Sequence, residues 1–175
     1  ALPRGSAWHL RKGKGWGVDS AEQFAEVLVE DAPAPMDLIS VHAYHRDGTG
    51  KGAAHRGLEG LPTKETLRVA MEAARGAGKV LFVGEFGSNK ASPEERRVVE
   101  TRELFEALVE LRVQLAAVWV FDCLSPATAH HNVRADNEHA YILDLVAEAN
   151  RRLAAGETAT RAGAAATTLT AMERE

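Results

Sequence analysis

Residues Lys79–Gly87 read KVLFVGEFG and contain the most informative pattern in the chain. The apolar run Val80–Val83 is typical of a strand that is buried on both faces, as strands of parallel sheets are. Glu85 follows this run directly, between Gly84 and Gly87, whose backbones tolerate unusual angles and close approach. Because a buried carboxylate is costly unless it is hydrogen-bonded, this placement predicts a functional carboxylate at the carboxyl end of a strand.

Two more apolar runs have the same form. Met36–Tyr44, MDLISVHAY, predicts a strand whose alternation places Ser40, His42 and Tyr44 on one face. Leu115–Asp122, LAAVWVFD, predicts a third buried strand that ends in aromatic and acidic residues. Each of the three predicted strands therefore has polar groups at its carboxyl end.

The residues between the strands predict helices. Ser20–Gln23 forms a capping box before the first helix, Thr63 is the predicted cap of the second, and Ser92–Glu95 predicts another capping box with proline at the first helical position. A last amphipathic helix is predicted over about 137–153. The glycine-rich polar segment 46–60 is too long for an ordinary connection, which is typical of a functional loop.

The order of these elements predicts an α/β fold. The strands alternate with helices, so a parallel sheet with right-handed crossovers is expected. An open doubly wound sheet and a part of a (β/α)8 barrel both fit, and both place functional groups at the carboxyl ends of the strands. A full barrel takes about 250 residues, so the units present here cannot close one. We expect a partial domain over 1–154 and a disordered, low-complexity Ala/Thr-rich tail over 155–175.

The composition bears on partners and compartment. The 175 residues carry a formal net charge of −4, which gives no electrostatic reason to expect nucleic acid or an anionic membrane as the main partner. No apolar run approaches the roughly 20 residues of a membrane span, so we expect a soluble protein, either cytoplasmic or secreted. The chain starts at Ala1 without methionine, so we expect either a removed leader or a longer parent protein.

The histidines suggest a metal site, but their spacing disfavours it. His42 and His45 are three positions apart on a strand and should point to opposite faces, and no set of cysteine or aspartate residues accompanies them. His130, His131 and His139 likewise lack such a set. Neither a metal nor another cofactor is therefore expected.

Three motifs, in this order and spacing, resemble the last strands of the cellulase-like retaining glycoside hydrolases, which comprise family 5 and its relatives in the large (β/α)8 clan. The motifs are HAY at 42–44, GEFG at 84–87 and VWVFD at 118–122. The sequence PRGSAWH at 3–9 also resembles the segment after the fifth strand in some members. The resemblance covers about 1–153 and implies that the three strands are strands six, seven and eight of a TIM barrel.

The resemblance also implies roles for individual residues. Glu85 matches the nucleophile, and His42 and Tyr44 match a pair that lines the site, with Tyr44 hydrogen-bonded to the nucleophile. Trp119 matches the aromatic platform beneath the sugar, to whose C–H faces a flat indole offers an apolar surface. Trp8 and His9 are candidates for substrate binding, although aromatic residues that only cover the core fit about as well.

The chain departs from the family in one important respect. A retaining mechanism needs a second carboxylic acid, about 5–5.5 Å from the nucleophile, to protonate the leaving group. In the family this acid follows an asparagine at the end of strand four, whereas Asn137-Glu138 here opens the last predicted helix and is a poor substitute. We therefore expect the carboxyl-terminal part of a retaining glycoside hydrolase that cleaves β-glycosidic bonds in oligo- or polysaccharides and is inactive alone.

Its expected partner is the missing amino-terminal half of the barrel or a second copy of the chain. One alternative is a non-catalytic half barrel that binds carbohydrate or a partner protein through its exposed sheet edges. Another is an open-sheet α/β enzyme of unrelated chemistry.

Overall fold

The computed structural model describes residues 7–15, 17–45, 61–89, 92–123 and 125–156. Its strands are β1 (Leu38–Tyr44), β2 (Val80–Gly87) and β3 (Leu115–Val118). Its helices are α1 (Ala7–Arg11), α2 (Ala21–Glu30), α3 (Thr63–Gly76), α4 (Glu94–Glu110) and α5 (Tyr141–Ala154), and a 3-10 helix spans Pro126–His131. The structure does not describe the predicted functional loop at 46–60 or the predicted tail from 157 onward.

The three strands form one parallel sheet in the order β1–β2–β3. Helix α3 connects β1 to β2, and α4 connects β2 to β3. The predicted α/β class and the alternation of strands and helices are therefore confirmed. Because spatial order follows sequence order, the described strands contain no reversal of direction of the kind that a doubly wound sheet has at its switch point.

One face of the sheet is buried and the other is partly open. In β1, Ile39, Val41 and Ala43 are buried, whereas three of the four residues that alternate with them are exposed and the fourth, Tyr44, is half-buried. In β2, Leu81 and Val83 are buried between half-buried neighbours. The prediction of strands buried on both faces is wrong for the described residues, because the helices pack into a single core with only the alternate set of strand residues.

The helices form where the apolar period predicts them. Helix α3 buries Leu67, Ala70, Met71 and Ala74, which recur at three- and four-residue spacing on one face. In α2, both hydrogen bonds of the predicted Ser20–Gln23 capping box are present. These local signals are confirmed.

Two other predicted caps are wrong. Helix α3 begins at Thr63 itself, whose hydroxyl donates to the carbonyl oxygen of Tyr44 at 3.0 Å instead of capping the helix. Helix α4 begins at Glu94, and the Ser92 hydroxyl donates to the carboxylate of Glu100 at 2.7 Å. The Thr63 hydroxyl thus bonds to β1 and the Ser92 hydroxyl to a side chain further along α4, so neither caps the free amides at the start of its helix.

The end of the third strand and the start of the last helix also differ from expectation. Strand β3 stops at Val118, and Phe121 forms only an isolated bridge with Val133. Helix α5 begins at Tyr141 rather than near 137, because the side-chain oxygen of Asn137 accepts backbone N–H bonds in a turn that precedes the helix.

Candidate active site

A bulge in β2 decides which way Glu85 points. The β1–β2 register pairs Val41 with Val83 and then His42 with Glu85, so Gly84 is an extra residue on β2. Strict alternation would place Glu85 on the helix-covered face with Val83, and the extra residue moves it to the open face. Phe86 takes the buried position instead and is 2% exposed.

Glycine suits the bulge position because neighbouring side chains approach it closely. A Cβ on Gly84 would lie 3.1 Å from Oγ of Ser40 and 3.4 Å from Cε1 of Phe82. It would also lie 3.7 Å from Cδ2 of His42. Gly84 therefore gives His42 and Glu85 room to meet on the open face of the sheet.

Two side chains of β1 contact one oxygen of the Glu85 carboxylate. The Tyr44 hydroxyl donates a 3.1 Å hydrogen bond to Oε1, and Nδ1 of His42 lies 2.5 Å from the same atom. The side chains of Glu85 and His42 are 17% and 32% exposed. Oε1 is thus held by β1, while Oε2 forms no hydrogen bond with the described residues.

Tyr44 is held as a proton donor. Burial is the main cause that raises the pKa of its hydroxyl, followed by the charge of Glu85 and the hydrogen bond to it. The Thr63 hydroxyl bonds to the backbone carbonyl of Tyr44, and the His131 ring packs against its ring with centroids 5.9 Å apart. Tyr44 therefore remains protonated at neutral pH and is contacted from two other segments.

Three residues converge at Gly87, on the same edge of the sheet. Cε1 of Tyr44, Nδ1 of His131 and the carbonyl oxygen of Trp119 each lie 3.6 Å from the position that a Cβ on Gly87 would take. The Trp119 N–H donates to the carbonyl of Phe86 at 3.0 Å, and a cis peptide joins Trp119 to the next residue. The end of β3 is thus brought next to the strand that carries Glu85.

Trp119 is 38% exposed, so part of its side chain is open to solvent. His131 was considered from sequence only as a weak metal candidate, and its packing against Tyr44 was missed. The available signal was its position in the loop after the third predicted strand, since such loops meet at the carboxyl edge of a parallel sheet.

Trp8 and His9 make their described contacts near the start of α2. Nδ1 of His9 lies 2.7 Å from Oδ1 of Asp19, and the Trp8 indole N–H donates to Glu26 at 3.0 Å. Asp19 is fully buried and also accepts the backbone N–H groups of Trp8 and His9. Asp19 was not singled out from sequence, and a substrate-binding role for Trp8 and His9 stays a prediction.

A cavity of about 30 Å³ lies on the helix side of the sheet edge, between the ends of β2 and β3 and the first turns of α4 and α5. Its walls include Arg97, His139 and Trp119, but not Glu85. The group around Glu85 therefore lies on the open face of the sheet and not in this enclosed cavity.

His42 and His45 point to opposite faces as predicted, toward Glu85 and Glu103 respectively. Within the described ranges, no three His, Cys, Asp or Glu side chains are grouped so that they could hold a metal ion. Across the same ranges, no helix combines the length and apolarity needed to cross a membrane.

No protein-family model matches this chain, and no curated protein sequence matches it significantly. Function must therefore be inferred from the arrangement of side chains around Glu85.

Proposed function

We propose that this chain is the carboxyl-terminal part of a retaining β-glycoside hydrolase in which Glu85 is the nucleophile. The observation that carries the proposal is the environment of the Glu85 carboxylate. Tyr44 and His42 contact one of its oxygens from the neighbouring strand, at 3.1 and 2.5 Å, and none of the described residues donates a hydrogen bond to the other oxygen. A nucleophilic carboxylate is aimed by contacts to one oxygen and attacks with the other, and this arrangement of contacts supports that role for Glu85.

In the proposed reaction, Oε2 of Glu85 attacks the anomeric carbon of an oligo- or polysaccharide. The glycosidic bond breaks, a glycosyl ester forms on Glu85, and a second carboxylic acid protonates the leaving oxygen. Water then attacks the anomeric carbon, the second residue takes a proton from it, and Glu85 is released as a carboxylate. That second residue would come from strands other than β1, β2 and β3.

The neighbours of Glu85 have separate roles in this scheme. The Tyr44 hydroxyl stabilises the negative charge on Glu85 before attack and after release, since a hydrogen bond to a charged group is stronger than one between neutral groups. His42 restrains the same oxygen. Trp119, at the end of the adjacent strand, would provide the apolar surface on which a sugar ring stacks.

The architecture fits a barrel segment, although three strands in sequence order also occur within one half of a doubly wound sheet. The strand order β1–β2–β3 follows sequence order, as consecutive strands of a barrel do. The open face carries partly exposed apolar residues, including Leu38 at 38% and Leu115 at 46%. Further strands that close a barrel would cover this face and complete the site.

A non-catalytic half barrel that binds carbohydrate or a partner protein is the second candidate. The exposed apolar residues on the open face favour it, because they would also be covered by a bound partner. The two candidates differ in whether Glu85 forms a covalent bond with substrate.

Covalent trapping tests the proposal. The complete protein that carries residues 1–175 is incubated with a 2-fluoro-β-glycoside bearing a good leaving group, and the labelled peptide is mapped by mass spectrometry. We expect the label on Glu85, its loss in Glu85→Gln, and its retention in Asp122→Asn. Asp122 is a suitable control because it is an exposed carboxylate in the segment after β3, where it pairs with Arg134.

A label on a different residue would contradict the nucleophile assignment. Sugar binding that is unchanged in Glu85→Gln, with no turnover and no label in the complete protein, would instead support the non-catalytic half barrel.

A further inference from the structure

A second carboxylate near this edge of the sheet is buried. Glu100, on α4, is 4% exposed. Its Oε2 accepts the backbone N–H of Asn89 at 2.9 Å, and its Oε1 accepts the hydroxyl of Ser92 at 2.7 Å. Both donors belong to the segment that leads from β2 to α4, which begins three residues after Glu85.

The same carboxylate also meets the segment that follows β1. His45, the residue after Tyr44, has Nδ1 3.7 Å from Oε1 of Glu100 and Nε2 2.6 Å from Oε2 of Glu103. Its backbone N–H donates to the carbonyl of Gly87 at 3.1 Å. The residue that directly follows Tyr44 therefore contacts helix α4.

Burial of Glu100 is compensated by several donors at once. Besides Asn89 and Ser92, Nε of Arg96 lies 3.4 Å from Oε1 and supplies a positive charge one helical turn away. A buried carboxylate is retained at low cost only when its oxygens are satisfied in this way. A glutamine would keep one acceptor oxygen but turn the other into an NH2 donor, which cannot accept from either segment.

We propose that Glu100 is a positioning residue, which holds the segments after β1 and β2 in one arrangement and thereby keeps Tyr44 against Glu85. Its consequence for catalysis rests on the proposed function, whereas the Tyr44–Glu85 contact can be measured without turnover. Displacements of about 1 Å at a catalytic group can lower rates by roughly 100-fold. A residue that holds the ends of β1 and β2 in place would therefore support catalysis by keeping Tyr44 and Glu85 in position.

The ionisation of Tyr44 reports on this contact in the intact chain. The tyrosinate absorbance of Tyr44 is measured at pH 11 as a difference spectrum. For the parent chain and for each variant, the spectrum of the same chain carrying Tyr44→Phe is subtracted. An ordinary tyrosine, with a pKa of about 10, is roughly 90% ionised at that pH. Far-UV circular dichroism confirms that each variant is folded under the same conditions.

In Glu100→Gln we expect the Tyr44 tyrosinate signal to rise at least twofold over the parent chain, because Tyr44 moves away from Glu85 and toward solvent. Glu106→Gln is the matched control, since Glu106 lies on the same helix and pairs with Arg152 rather than with either segment. A purely structural role for Glu100 predicts lower stability in Glu100→Gln with an unchanged Tyr44 signal, and that result would overturn the proposal.

A second variant keeps the proposal testable if Glu100→Gln does not fold. Ser92→Ala removes one donor and leaves the bond from Asn89, and we expect a smaller rise of the same signal. No rise in Ser92→Ala would then refute the proposal. In the complete protein, Glu100→Gln should lower kcat about tenfold with little change in KM.

The two proposals fail in different ways. A changed Tyr44 signal without label on Glu85 would leave the positioning role intact and remove the hydrolase function. A label on Glu85 with an unchanged Tyr44 signal and kcat in Glu100→Gln would leave the function intact and remove the positioning role.

Discussion

Tyr44 donates a 3.1 Å hydrogen bond to Glu85 across two adjacent parallel strands, although the residues are 41 positions apart in sequence. The register places His42 directly opposite Glu85 and Tyr44 opposite Gly87, so the tyrosine side chain reaches diagonally to the carboxylate. The contact depends on the bulge at Gly84, without which the carboxylate would face the helices. Donor and acceptor are therefore prepositioned by the backbone of two strands.

Tyr44 should ionise well above the usual pH range of a tyrosine. Burial and the charge of Glu85 both disfavour its anion, so the fold is stabilised while the hydroxyl is protonated. This contribution is present below the unfolded pKa of about 10 and is lost as pH rises above it. Spectrophotometric titration of the parent chain minus Tyr44→Phe checks the prediction.

Glu85→Gln provides the control for this titration. Removing the carboxylate charge should lower the midpoint of Tyr44, but burial, the larger cause, should keep it above that of a free tyrosine. A midpoint near 10 for Tyr44 in the unsubstituted chain would contradict the described contact.

Gly84→Val should destabilise the chain by about 1–3 kcal/mol through crowding against Ser40 and Phe82. Removing the nearest atom, in the double variant Ser40→Gly with Gly84→Val, should recover part of this loss. Urea unfolding followed by circular dichroism measures both. Gly76→Ala is the control: nothing lies within 4 Å of its Cβ position, so this substitution in a helix should stabilise by about 0.5–1 kcal/mol. Equal effects at the two glycines would contradict the bulge geometry.

Asp19→Ala should lower the free energy of unfolding by about 3–5 kcal/mol. The substitution removes a fully buried acceptor and leaves the partly buried backbone N–H groups of Trp8 and His9 and the His9 ring without it. Asp37→Ala, at an exposed position, should change stability little. Chemical denaturation of both variants is the measurement, and a loss below about 1 kcal/mol for Asp19→Ala would show that Asp19 does not anchor this segment.

The pair formed by Glu106 and Arg152 should make a small, pH-dependent contribution to stability. The hydrogen bonds from Arg152 lower the pKa of the Glu106 carboxyl, so the pair stabilises the fold above the unfolded pKa of about 4.3 and loses this effect as pH falls through the lower folded value. Because Glu106 is 55% exposed, solvent screening limits the effect to about 0.2–1 kcal/mol.

Unfolding of the parent chain and Glu106→Gln between about pH 7 and pH 3 measures this contribution. The difference should shrink toward acid pH and also at high salt. A difference that grows as pH falls would have the wrong sign for this pair.

Local sequence signals determined the type and order of the three strands and of helices α2 to α5, but not the short helix α1 or the 3-10 helix. The apolar period of α3 and the capping box of α2 depend on residues within a few positions of one another, so they can be recognised without the fold. The gathering of polar groups at the carboxyl ends of the strands also follows from the order of elements, since parallel strands share that edge.

Only the tertiary structure decided which side Glu85 faces and which donors reach it. The register between β1 and β2 creates the bulge at Gly84, and an apolar run followed by a carboxylate is compatible with either face. The Thr63 hydroxyl likewise bonds to the carbonyl oxygen of Tyr44 on β1 rather than to a free amide of its own helix. These outcomes depend on groups that are distant in sequence and near in space, and no local pattern encodes such distances.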